Sequence, residues 1–168
     1  MANPNKLIPF ILNKEGGFSN RKNDAGGPTN RGITLAVFQH YFGANKTIRD
    51  LKNITNQQWD YIFINGFWNR CKADEIISQS VANIIVDWTW NSGTHAIRRV
   101  QKYLGLDDDG IIGDLTLSHI NSSNALELFN AIKNLRFKFI DEICTYNPKN
   151  KEFRRGWRNR ISELKFQD

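Results

Sequence analysis

The sequence predicts a mainly α protein with one short β-turn or hairpin between Phe18 and Ile33. Three observations carry this. Apolar residues recur at helical spacing in most of the chain. Capping residues stand in front of several of these runs. Glycine and proline, by contrast, crowd into one stretch, Asn13 to Thr34.

Leu7, Ile8, Phe10, Ile11 and Leu12 make an apolar stripe suited to a helix that opens at Asn3 or Pro4 and ends at Gly16 and Gly17. Thr34 can cap a second helix through Leu35, Phe38 and Tyr41, closed by Gly43. Thr47-Ile-Arg-Asp50 has the form of a capping box before Leu51. Thr55-Asn-Gln-Gln58 opens an aromatic helix with Trp59, Ile62, Phe63 and Phe67, weakened near its end by Gly66. Ser80 to Gly93 is the strongest apolar run. Val81, Ile84, Ile85 and Trp88 give it the spacing of a buried central helix, with Asp87 and Asn91 one turn apart on a polar edge. Thr94 to Gly105 reads as a further helix. Leu128, Ile132, Leu135, Phe139 and Ile143 describe a long amphipathic one from Asn124 to Tyr146, stopped by Pro148. A last, basic helix turns Phe153, Trp157, Ile161 and Leu164 to the core and its arginines outward.

The 168 residues suffice for one compact domain, or a domain with a small helical extension. With 40% hydrophobic and 24% charged residues, the composition is that of an ordinary globular core and argues against disorder. No apolar run approaches the ~18–20 residues of a spanning helix, so stable membrane insertion is not expected. Cys71 and Cys144 could pair, but they make no disulfide framework. His40, His95 and His119 are scattered singly, so no metal and no cofactor is expected. The net charge of +6 is concentrated in the last twenty residues, where seven basic side chains face three acidic ones. Nucleic acid, an anionic wall polymer and a membrane surface are candidate partners for that charge, beside a simply solvated helix face. No RNA-binding or helix-turn-helix signature supports nucleic acid, which is set aside.

The chemistry-bearing stretch is NKEGGFSNRKNDAGGPTNRGIT, from Asn13 to Thr34. Glu15 ends an apolar-periodic run at the negative end of a helix dipole, which favours the protonated carboxyl. Asp24 sits among polar neighbours, with Gly26, Gly27, Pro28 and Gly32 shaping the loop. Two carboxyls in unlike surroundings suit glycosidic cleavage. One protonates the leaving oxygen; the other serves an oxocarbenium-like transition state or positions water. A helix end followed by a solvated turn accounts for the same residues equally well.

EGGFSNRKNDAGGPTNRGIT resembles the signature of the glycoside hydrolase family 108 muramidases, a branch of the lysozyme superfamily. The resemblance implies a lysozyme-like helical fold with the hairpin next to the catalytic loop. It makes Glu15, in the Glu-Gly-Gly motif, the catalytic acid. The order Glu, Asp, Thr is also similar to the catalytic triplet of phage-type lysozymes, which implies Asp24 as second carboxylate and Thr29 or Thr34 as the threonine. We take Thr34 as catalytic and Thr29 as substrate-binding. Phe67-Trp68 with Ala73-Asp74, and the Asp-x-x-x-Asn-x-Gly segment from Asp87, resemble further family segments. The latter places Asp87, Trp90 and Asn91 at a sugar cleft, although a structural role fits Asp87 and Asn91 as well, and core burial fits Trp90. VQKYLGLDDDGIIGDLTL is similar to the core of small peptidoglycan-binding modules, with Asp-Gly-x-x-Gly as a turn and Asp114 capping the helix after it. The aspartates do not fit a calcium loop, because Gly105 and Thr116 fall at its first and twelfth positions.

The expected organisation is a catalytic region over residues 1–93 and a peptidoglycan-binding-like region over 94–168, packed as one unit. The expected activity is cleavage of the β-1,4 bond between N-acetylmuramic acid and N-acetylglucosamine by a monomer. A lytic transglycosylase and a non-catalytic wall-binding protein are the alternatives. Pro9, Asn13 and Lys14 interrupt the only candidate secretory segment. The protein is therefore expected to be made in the cytoplasm and to act on the wall or periplasm after release.

Overall fold

In the computed structural model, which describes residues 1–20 and 27–168, the first helix, α1, is Ile8–Lys14. It buries Ile11, with Leu7 buried just before it. The helix does not end on a left-handed glycine. Glu15 itself leaves it in extended conformation (φ −86°, ψ 135°), its N–H still donating to Ile11 O at 3.1 Å. A two-residue hairpin follows, β1 (Thr29–Asn30) and β2 (Ile33–Thr34), then helices α2 (Leu35–Phe42), α3 (Ile48–Lys52) and α4 (Asn56–Phe63). Thr34, Thr47 and Thr55 cap the three helices, the last two through complete capping boxes. Beyond Phe63 the chain continues as a π-helical turn, Ile64–Trp68, rather than as α-helix through Phe67. A Cβ on Gly66 would stand 2.9 Å from the Tyr41 hydroxyl, so glycine here lets that ring approach the backbone.

Asn5–Gly66 forms one compact unit; Met1–Pro4 and Phe67–Asp168 form a second. Compactness thus divides the chain at a different place from residue 93. Helix α5 (Gln79–Ser92) is the centre of the second unit, packing on both α6 (Thr94–Tyr103) and α8 (Ala125–Tyr146). Helix α7 (Asp114–Ser122) and α9 (Arg154–Glu163) pack on α8. Ser80 N–H donates to Asp168 Oδ1 and Gln167 N–H to Ser80 Oγ, both at 2.8 Å, tying the last residues to the start of α5.

The Asp-Gly-x-x-Gly turn between α6 and α7 is built on the buried Gln101. Its amide donates to Asp109 Oδ1 (2.7 Å) and Ile111 O (2.9 Å) and accepts from Gly110 N–H (2.8 Å). These bonds hold the Asp109 carboxyl below its ordinary value, the Ile111 N–H contributing most and Gln101 next. Asp114 is not the cap expected of it. It is the first residue of α7, after Gly113, and its carboxylate accepts from Lys72 Nζ at 2.6 Å.

Asp87 departs furthest from a role on a polar edge. It is 0% exposed. Arg136 Nη2 donates to its Oδ2 at 2.7 Å, and Arg160 donates to its Oδ1 from Nε at 3.1 Å and Nη2 at 2.8 Å. Arg160 therefore turns inward from α9 instead of outward. Burial pushes the Arg136 guanidinium below its ordinary value, with Asp87 opposing the shift and Arg160 adding to it. Asp87→Asn would leave two enclosed cations facing a neutral amide. We expect a loss of about 3–5 kcal/mol in denaturant unfolding; a change below about 1 kcal/mol would contradict the arrangement.

Cys71 and Cys144 are both buried free thiols, which removes the option of pairing them. Burial pushes the Cys71 thiol up to about 11, against a smaller opposing effect of its hydrogen bond with Thr89. A thiol reagent at pH 8 is accordingly expected to label neither cysteine in the native protein and both after unfolding. Rapid native labelling would contradict this.

Candidate active site

Glu15 is half-buried at the point where α1 ends, and the chain runs on from it without helical constraint. Gly16 and Gly17 are exposed, and a Cβ on either would meet nothing within 4 Å among the described residues. Two residues later the segment is fixed again. Ser19 and Thr29 exchange both backbone hydrogen bonds, each 2.8 Å, and lay residues 18–19 beside the hairpin.

The hairpin has two unlike faces. Thr29 pairs with Thr34 and Asn30 with Ile33. Asn30 and Ile33 are buried, and the Asn30 amide donates to Leu51 O (2.9 Å) and Lys52 O (3.0 Å), which anchors the hairpin to α3. The connecting residues Arg31 and Gly32 both have positive φ (50° and 79°), the combination a tight two-residue hairpin needs. Arg31 tolerates it because it is held from several sides. Its carbonyl accepts from Trp59 Nε1 at 2.9 Å, and its guanidinium donates to Asn56 Oδ1 at 2.9 Å.

Directly paired residues put their side chains on one face of a sheet. Ser19, Thr29 and Thr34 therefore form a row of three hydroxyls across the opposite, half-exposed face. Thr29 Oγ1 donates to Gly27 O at 3.0 Å and keeps its lone pairs. Thr34 Oγ1 accepts from Val37 N–H at 3.2 Å and keeps its hydrogen as a donor. The Glu15 segment thus leads into a strip of sugar-compatible donors and acceptors. Asp24 lies outside the described residues.

The remaining expected site residues sit on α5, in the other unit. Asp87 is enclosed, as described, and both its oxygens are taken, so direct sugar contact is replaced by an internal ion cluster. Asn91 is exposed, and its amide donates back to Asp87 O. Trp90 is half-buried, its ring 4.6 Å from that of Phe67. Trp59, Trp68 and Trp88 are fully buried. Among the described residues no cluster of three His, Cys, Asp or Glu could hold a metal ion, and no helix is long and apolar enough to cross a membrane.

Three features were not anticipated: the Ser19 place in the hydroxyl row, and Arg136 and Arg160 as partners of Asp87. Arg136 carried a signal, because it interrupts the buried Ile132–Ile140 stripe at four-residue spacing. Ser19 carried none, since the pairing that places it is not written in local pattern.

Comparison with known proteins places the chain in a family. Residues 8–93 match the family model for Glycosyl hydrolase 108, and residues 95–162 match the model described as "Predicted Peptidoglycan domain". No curated protein matches the chain. Among solved structures, that of Brucella abortus SagA is similar, with a TM-score of 0.83 and 28% identity over 95% of this chain and 90% of that one. The helical fold with its small antiparallel hairpin is lysozyme-like, and the chain is a glycoside hydrolase that acts on peptidoglycan. It belongs to the glycosyl hydrolase 108 family.

Proposed function

We propose that Glu15 is the general acid of this hydrolase and that the bond cleaved is the β-1,4 link from N-acetylmuramic acid to N-acetylglucosamine. One observation carries the reading. A half-buried carboxylate stands at the extended end of α1, beside two exposed glycines and on the path to a row of three hydroxyls. A glycan strand needs both parts. The hydroxyls take up its polar edge, and the carboxyl hands a proton to the bridging oxygen as the C–O bond breaks.

In this scheme Asp24 is the second carboxylate, balancing the positive charge that develops at the anomeric carbon or orienting the attacking water. Thr34, with its hydroxyl hydrogen available, helps to hold that water. Thr29 contributes lone pairs to the sugar. Asn91 and the exposed part of Trp90 supply further glycan contacts. The protein works as a monomer, on the wall or in the periplasm.

Glu15→Gln keeps the shape of the side chain and removes the acid. Turbidity loss of permeabilised cells should slow at least about 100-fold while the unfolding midpoint stays in place. Full lytic activity would overturn the assignment.

Thr34 has a capping role that can be separated from a catalytic one. Thr34→Ala removes both and should cost about 1 kcal/mol of stability. Thr34→Asn restores a good cap without a hydroxyl, so stability should return while lysis stays low. If lysis returns together with stability, Thr34 is a cap alone.

A further inference from the structure

Helix α6 carries His95, Arg98, Arg99 and Lys102 at i, i+3, i+4 and i+7, a basic stripe along one face. Like charges four residues apart repel, so helix stability alone gives no reason to set Arg98 beside Lys102. The four side chains, with Asp108 just before the Asp-Gly-x-x-Gly turn, line a groove of about 220 Å3 within the second unit. Two of them are held inside the protein. Arg99 donates to Glu142 Oε2 at 2.6 Å and lies over the Phe139 ring at 4.8 Å, and the His95 ring packs nearly parallel to that ring, 6.1 Å away. Arg98 is placed by packing. A Cβ on Gly110 would stand 3.2 Å from its Nε, so the side chain lies against the backbone of the turn. Asp109 is within electrostatic reach of Arg98, with its Oδ1 accepting from Gln101 and from the Ile111 N–H. Arg98, Lys102 and Asp108 are exposed, and none of these three side chains makes a hydrogen bond or an ion pair among the described residues.

The groove thus sets cationic and anionic positions side by side, which suits a ligand bearing both signs of charge better than a simple polyanion. Peptidoglycan contains such a ligand in its uncrosslinked stem peptide. There the D-glutamyl residue bears a free α-carboxylate, and a diaminopimelyl residue after it bears a free carboxylate and a free ammonium at its far end. All five lining residues fall in the segment that matches the peptidoglycan domain. We propose that the α6 groove binds the γ-D-glutamyl-diaminopimelyl part of an uncrosslinked stem peptide, with Arg98 and Lys102 taking the two carboxylates and Asp108 the ammonium. Crosslinking acylates that nitrogen and removes its charge, so the groove discriminates open stems from crosslinked ones. The assignment rests on the peptidoglycan substrate and not on Glu15, which belongs to the other unit.

The test is a 1H–15N NMR titration of the full chain with the tetrapeptide N-acetyl-L-Ala-γ-D-Glu-meso-diaminopimelyl-D-Ala. Its D-glutamyl α-carboxamide, its derivative acetylated on the diaminopimelyl amine, and a glycerol phosphate oligomer are titrated beside it. The tetrapeptide should move the backbone amide resonances of α6 and the Arg98 Nε–H resonance. Amidation of the glutamyl carboxylate and acetylation of the amine should each weaken binding at least about threefold. Arg98→Gln and Lys102→Gln should weaken the tetrapeptide by a similar factor with the unfolding midpoint unchanged. Asp108→Asn should weaken the tetrapeptide but not its amine-acetylated form, and should tighten the glycerol phosphate oligomer. Equal binding of the tetrapeptide and either derivative, or no response to the tetrapeptide, would overturn the proposal. An oligomer that binds as tightly as the tetrapeptide would mark a general polyanion surface and overturn the stem-peptide assignment. Glu15→Gln should bind the tetrapeptide like the native protein, so a failure here and a failure in the lysis assay are told apart.

Discussion

Asp87 accepts hydrogen bonds from Arg136 on α8 and Arg160 on α9 while it sits, fully enclosed, on α5. A charge in that position is tolerable only with its partners in place, because the desolvation cost of each ion is several kcal/mol and only close, well-directed pairing offsets it. The three helices are therefore held to one register. A slide of α9 along α8 that an apolar contact would absorb would here separate Arg160 from its acceptor. The apolar packing around the cluster, with Ile140, Cys144 and Ile161 buried together, supplies the cohesion. The ion cluster supplies the alignment.

The unit that carries Glu15 solves a different problem with shorter parts. Its hairpin has two residues in each strand, too few to stand alone. It is held by the Asn30 side chain on α3, by the Trp59 indole on Arg31, and by Thr34 opening α2. Each of these ties the hairpin to a helix. A hydroxyl-bearing face can then be presented to a polymer without collapsing onto it. Glu15 gains its place in the same economical way, as the residue at which α1 stops.

Much of this was legible in the sequence, for definite reasons. Thr47 with Asp50 and Thr55 with Gln58 announce their helices because a capping box is satisfied entirely within four residues. Glu15 stands out because the glycines after it break the apolar period at one point. The buried face of α5 follows from Val81, Ile84, Ile85 and Trp88. The misreadings concern long-range partners. Asp87 reads as polar edge until Arg136 and Arg160, 49 and 73 residues away, are seen to meet it. Asp114 looks like a cap until Lys72 claims it, 42 residues back. The end of α1 reads as a task for left-handed glycine, yet Glu15 makes the exit in ordinary extended conformation. Ser19 joins the hydroxyl row only through a single bridge to Thr29.

The central claim is that a carboxyl acid and a water molecule cleave the glycan strand on the muramic acid side. Mass spectrometry of the fragments released from purified sacculi examines this directly, because the chemistry is recorded in the new ends. Hydrolysis at the proposed bond yields N-acetylmuramic acid at the reducing end, carrying one added water. Anhydromuramic ends, formed when the sugar's own hydroxyl closes the ring, would contradict the hydrolytic account, and reducing N-acetylglucosamine ends would contradict the choice of bond.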